Sequence, residues 1–194
     1  MEWRLSPEGT IPPFTQPSFF AGHPWVDPAG QRGHAARTDM VADLVAEIVR
    51  DHGVATVTDL GCGDGALLQK IHRRVQVTAW GYDLGVQNLH VATTLRQVDA
   101  RRANFLTDSI EYGELIVATE VVEHLVDPRA FVRSLPRRLL VLSSPWDEND
   151  RNHYVHHAWA WDEPGYRTMV EDCGWSVKEQ RRCSEGFQAV LAVR

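Results

Sequence analysis

The sequence predicts an α/β fold in which a mostly parallel β-sheet is covered by helices on both faces, within a single domain. Three observations point there. Short apolar runs alternate with amphipathic ones over most of the 194 residues; a glycine-rich turn joins the first of these runs to the helix-like segment behind it; and the last two strand-like runs lie close enough to pair as a hairpin. A chain of this length supplies one core, which rules out a separate substrate domain.

The elements follow in order. Residues 1 to about 33 hold Pro7, Pro12, Pro13, Pro17, Pro24 and Pro28 among the aromatics Phe14, Phe19, Phe20 and Trp25. Proline fixes φ and removes a donor, which excludes regular helix or central strand. The aromatics still need burial, so the stretch reads as an ordered arm lying over a body formed by residues 34–194. From His34 the apolar residues Met40, Val41, Leu44, Val45, Ile48 and Val49 fall at helical spacing, ended by Asp51-His52-Gly53. A buried strand over 55–60, a glycine turn and a helix over 66–74 come next. The pattern then repeats: strand 76–82, helix 86–95, a weak strand 100–105, strand 115–119, helix 127–135 and strand 139–143. A last helix over 163–173 precedes strands 175–180 and 187–193, with Trp175 a core residue.

Composition narrows the function. The formal net charge of −6 argues against non-specific binding to nucleic acid, because affinity for a polyanion comes mostly from Lys and Arg. Arginine pairs at Arg73-Arg74, Arg101-Arg102, Arg137-Arg138 and Arg181-Arg182 read as solvated surface unless they line one groove. Three cysteines, Cys62, Cys173 and Cys183, are too few and too scattered for a disulfide framework. No run of about 18 apolar residues is present and Met1-Glu2-Trp3-Arg4 lacks the layout of a secretory signal, so a cytoplasmic protein with no membrane contact is expected.

The turn Asp59-Leu60-Gly61-Cys62-Gly63-Asp64-Gly65 sits where open α/β sheets bind ligands, beyond the strand ends. Its glycines let backbone approach a ligand closely. A pyrophosphate would want bare N–H donors there, whereas Asp59 and Asp64 suit a cation. S-adenosylmethionine, with a sulfonium and an ammonium, is such a ligand. Asp83, at the end of the second strand and about 20 residues on, is placed to accept ribose hydroxyls, and Asn104 to meet the adenine.

With these residues in place the sequence resembles the class I S-adenosylmethionine-dependent methyltransferases, from about Thr38 to the C-terminus. Asp59 to Gly65 matches the family's first motif, Asp83 its second, and Glu114 to Leu125 the segment at its fourth strand. The resemblance implies a Rossmann-like doubly wound sheet ending in an antiparallel hairpin. It further implies S-adenosylmethionine as cofactor, held by Asp59, Gly61, Cys62, Gly63, Asp64, Gly65, Asp83, Leu84, Asn104, Phe105 and Thr119.

The segment Thr119-Glu120-Val121-Val122-Glu123-His124 follows an apolar strand at the same sheet edge. If it begins a helical turn, Glu120, Glu123 and His124 share one face. Two carboxylates and an imidazole form either a general-base assembly or most of a divalent-metal site for Mg, Mn or Zn. His157, ahead of Trp159, Trp161 and Asp162, is similar to the histidine that precedes an aromatic and a helix cap in many small-molecule O-methyltransferases, the ubiquinone-biosynthesis type included. The same residues resemble the Glu-x-x-Glu-His…His set of Hen-type small-RNA 2'-O-methyltransferases, which implies Glu120, Glu123, His124 and His157 as metal ligands. His153 and His156 read as surface residues. Trp146, Trp159 and Trp161, with the arm's Phe14, Phe19 and Phe20, are candidates for walls of the acceptor pocket, with core packing expected for at least half of them.

Transfer of methyl to oxygen needs alignment and a nearly deprotonated nucleophile, which a metal or an imidazole can supply. The expected activity is O-methylation of a small-molecule hydroxyl or carboxylate. The alternatives are a metal-dependent 2'-O-methyltransferase of RNA 3' ends, disfavoured by the acidic charge and the lack of an inserted RNA-binding segment, and a non-catalytic cofactor-binding module.

Overall fold

The structure, a computed structural model, describes residues 1–6 and 32–194; the proline-rich stretch with Phe14, Phe19, Phe20 and Trp25 lies outside them. The elements are β1 (Glu2–Arg4), α1 (Arg32–His52), β2 (Thr56–Leu60), α2 (Ala66–Arg74), β3 (Thr78–Asp83), α3 (Val86–His90), β4 (Asp99–Arg102), β5 (Leu115–Thr119), α4 (Pro128–Ser134), β6 (Leu139–Pro145), β7 (Trp159–Trp161), α5 (Glu163–Asp172), β8 (Ser176–Arg182) and β9 (Phe187–Val193). Helix α3 runs on into a π-helical turn over Val91–Leu95, and a 3₁₀ turn spans Val122–His124.

The main sheet has the strand order β4-β3-β2-β5-β6-β9-β8. Strands β2 to β6 pair in parallel, while β9 runs antiparallel between β6 and β8. A parallel strand covered on both faces must be apolar throughout, and Leu115-Ile116-Val117-Ala118 of β5 is fully buried along its length. Its residues alternate sides: Leu115 and Val117 pack with Val41, Leu44, Val45 and Ile48 of α1. On the opposite face Ile116 and Ala118 join Phe131, Trp161, Tyr166 and Met169. The expected doubly wound sheet and terminal hairpin are therefore both present.

Two strands escape the sequence pattern. Strand β1 pairs antiparallel with β7, Glu2 opposite Trp161. Each has three residues, too few for any periodicity to register. Among the described residues no helix is long and apolar enough to cross a membrane.

Candidate functional site

The turn from β2 into α2 is shaped by its glycines and tied down by Asp83. Gly61 has φ +76°, and a Cβ there would fall 2.7 Å from Cγ2 of Val121. The Gly61 and Cys62 N–H groups both donate to the Tyr82 carbonyl, at 2.8 and 3.1 Å. The Gly63 N–H donates to Oδ2 of Asp83 at 2.9 Å, and the Gly85 N–H to Oδ1 at 2.7 Å. Asp83 thus braces two loops at once. Gly65 is packed against its neighbours: its φ is +76° and a Cβ would meet Val98 Cγ2 at 2.6 Å.

A cavity of about 560 Å³ opens over the carboxyl ends of the central strands, and the expected cofactor residues other than Gly65 line it. Asp59 at its floor is buried, and neither carboxylate oxygen has a hydrogen-bond partner. Burial and the nearby Asp83 push its pKa up to about 7, against the pull of Arg37. Burial also raises Asp83, opposed by the N–H groups it accepts. Asp64 differs from expectation: Oδ2 takes a hydrogen bond from Arg96 at 2.6 Å and Oδ1 one from the Ala66 N–H, so its charge is met from within the protein. Cys62 is buried, which raises its thiol pKa. Asn104 accepts from the Leu106 N–H through its side-chain oxygen, closing a turn beside Phe105.

The acidic end of the cavity is built differently from the helical face expected. Glu120 adopts φ +55°, a left-handed conformation that costs a non-glycine residue about 1–3 kcal/mol. Its Oε1 accepts the Ser143 hydroxyl at 2.9 Å, and its Oε2 lies 3.7 Å from the Arg37 guanidinium. Burial raises the Glu120 pKa while Arg37 and Ser143 lower it. Glu123, one step into the 3₁₀ turn, is fully buried with both oxygens unpartnered, and burial with Glu120 nearby drives its pKa well up. His124 Nδ1 donates to the His156 carbonyl at 3.2 Å, and burial with the His157 ring beside it lowers its pKa to about 3. The rings of His124 and His157 meet edge to face with centroids 4.7 Å apart.

Three of the four expected ligand residues converge: Glu123, His124 and His157 offer donor atoms within 4.8 Å of one another. Glu120 instead turns to Ser143 and Arg37. The unpartnered oxygens of Glu123 give the trio the chemistry of a divalent-metal site.

Other expectations shift. Trp146, Trp159 and Trp161 do not line the cavity. Trp146 lies under Arg182, Trp159 donates to the Leu125 carbonyl, and fully buried Trp161 donates to Glu2. Large aromatic area is needed more in the core than at the wall. His153 is exposed, as expected, and bonds to the Asn149 carbonyl, while His156 serves His124 through its backbone.

Arg37, Glu148, Tyr154 and Phe187 also line the cavity and carry no motif. Arg37 alone left a trace in sequence: it stands four residues before Val41, on the apolar face of α1. Its guanidinium lies over the Phe187 ring at 5.3 Å, and its buried Nε has no partner.

Residues 32–180 match a family described as a methyltransferase domain. A ubiquinone biosynthesis O-methyltransferase of Nitrosomonas europaea is 29% identical over 133 residues, 64% of this chain and 55% of that protein. The chain thus spans about half the length of that curated relative. Among solved structures, the N-methyltransferase NodS of Bradyrhizobium japonicum, in complex with S-adenosylhomocysteine, superposes with a TM-score of 0.69 at 19% identity. That match covers 94% of this chain and 98% of NodS. The methyltransferase domain of a bacterial Hen1 gives 0.63 at 19% identity over 80% of this chain and 98% of that one.

Proposed function

This chain belongs to the class I S-adenosylmethionine-dependent methyltransferases, and we propose that it moves the methyl group of S-adenosylmethionine to an oxygen of a small molecule. The observation that carries the reading is one cavity that holds a buried acceptor and a buried donor atom, each without a hydrogen-bond partner. Asp59 presents a carboxylate without a donor, and Arg37 a guanidinium Nε without an acceptor. A zwitterionic amino-acid group supplies the missing ammonium and carboxylate together. Asp83 retains a lone pair for ribose hydroxyls beside its contacts with the Gly63, Leu84 and Gly85 N–H groups. Phe105 and Leu106 give the base an apolar wall.

Transfer itself is an in-line displacement. The acceptor oxygen forms the new C–O bond as the C–S bond breaks, the electron pair stays on sulfur, and the sulfonium becomes a neutral thioether. The acceptor's proton must leave, and His157 is the base assigned to it, with Nδ1 already committed to Glu148. His124, its pKa held near 3, stays neutral and presents no competing cation.

The Glu123, His124 and His157 trio favours a second version of the same reaction. A Mg, Mn or Zn ion held by these three would lower the pKa of an acceptor hydroxyl. Glu120, Ser143 and Arg37 would then fix the backbone that carries Glu123. We also place the enzyme in the cytoplasm, on its few, scattered and unpaired cysteines.

Calorimetry tests the cofactor half. The wild-type protein is expected to bind S-adenosylmethionine, and Asp83→Ala to lose at least about tenfold in affinity, equivalent to about 1.4 kcal/mol. Absence of binding, or an unchanged affinity in the variant, overturns the reading.

A further inference from the structure

We propose that Glu148, in the loop between β6 and β7, positions His157 by fixing its proton on Nδ1 and so leaving the lone pair on Nε2. The inference rests on the role given to His157 above. Both oxygens of Glu148 are committed. Oε1 accepts the Tyr154 backbone N–H at 3.0 Å, and Oε2 faces Nδ1 of His157. A carboxylate only accepts, so Nδ1 is the protonated nitrogen. The contact is shielded: the two side chains are 14% and 8% exposed, and both line the cavity.

The loop is built to hold this pair. Asn149 bridges to Asn152, and its side-chain oxygen accepts the Arg151 and Asn152 N–H groups at 2.9 and 3.2 Å. The chain therefore doubles back and returns Tyr154 and His157 to Glu148. The Tyr154 ring packs edge-on against His157 with centroids 5.2 Å apart, and His124 does so from another side. With the ring walled in, the proton's position is the remaining variable, and the carboxylate sets it.

The isosteric variant Glu148→Gln separates positioning from bulk. A glutamine must turn its carbonyl oxygen to the Tyr154 N–H, because an NH₂ group there would meet a donor. Its NH₂ then points at His157 Nδ1, which has to accept, and the proton moves to Nε2. The shape is preserved while the tautomer is reversed.

Nitrogen-15 long-range NMR of the full chain reads the tautomer directly. The wild type is expected to show the His157 proton on Nδ1, and Glu148→Gln to show it on Nε2, with the melting temperature confirming that the variant is folded. Methyl transfer from S-adenosylmethionine to 3,4-dihydroxybenzoate, which offers both phenolic hydroxyls and a carboxylate, gives the second readout. Turnover is expected to fall about 100-fold while the calorimetric affinity for S-adenosylmethionine stays unchanged. A proton that remains on Nδ1 in Glu148→Gln overturns the proposal, as does a reversed tautomer with undiminished turnover. If the wild type binds no S-adenosylmethionine, the function proposed above fails, and the tautomer alone decides the role of Glu148.

Discussion

Asp59 is the residue whose charge state the site depends on most directly. Its pKa of about 7 comes from burial and from Asp83, with Arg37 opposing. In an unfolded chain an aspartate ionises near 3.9, so between there and about 7 the folded protein holds the extra proton. The stability of the ligand-free protein therefore falls as pH rises through that window. A cationic ligand reverses the preference, since binding an ammonium ionises the carboxylate and releases its proton. Affinity for S-adenosylmethionine should tighten by about tenfold between about pH 6 and about pH 8, with a buffer-dependent binding enthalpy at the lower pH. Asp59→Asn should flatten that dependence and raise the ligand-free melting temperature at the higher pH. Calorimetry showing a wild-type affinity indifferent to pH would remove the ionised Asp59 from the ammonium's contacts. Asp59 and Asp83 were legible because a strand, a glycine turn and an acid at fixed spacing recur as one local pattern. Glu148 was not, because its only meaning is the histidine nine residues on, reached by a loop that folds on itself.

At the scale of the element, legibility followed how much of each segment's conformation its own residues decide. Strand β5 could be read because four consecutive apolar residues buried on both faces admit little else. Strands β1 and β7 could not, because each is held by the other and by Glu2, which accepts from Trp161 across 159 positions. The bend at Glu120 leaves no mark in the sequence, because its left-handed backbone comes with contacts to Ser143 and Arg37 that lie far away in the chain. The entry to α2 is more local, and Gly65 tests it. Its positive φ disfavours any side chain, and the space a Cβ needs is held by Val98 at 2.6 Å and Ala92 at 3.0 Å. Gly65→Ala should destabilise the fold by about 1–3 kcal/mol, read as a lowered melting temperature. Any loss of S-adenosylmethionine binding should track unfolding, because Gly65 does not face the cavity. A variant as stable as the wild type but unable to bind would make Gly65 a contact residue after all.

Across the whole molecule, the distribution of charge separates a small-molecule acceptor from a nucleic acid. Of the arginine pairs, Arg74 is met by Asp39 and Asp43, Arg101 by Asp99, Arg181 by Glu47 and Glu179, and Arg182 by Glu163. None of these arginines lines the cavity, whereas Asp147, Glu148 and Glu185 do. A phosphate backbone approaching His157 would thus cross carboxylates on its way in, in a protein whose formal net charge is −6. Binding to a polyanion gains its free energy from counterions released as cations neutralise phosphates, and a cavity that none of the eight arginines of these pairs lines has little to release. No gel shift of a short single-stranded RNA is expected at about 50 mM salt, with or without S-adenosylmethionine. Replacing Asp147 and Glu185 together by lysine should create a salt-sensitive shift where the wild type has none. A shift with the wild-type protein that weakens steeply as salt rises would return the RNA 3' end as acceptor and move the small molecule to second place.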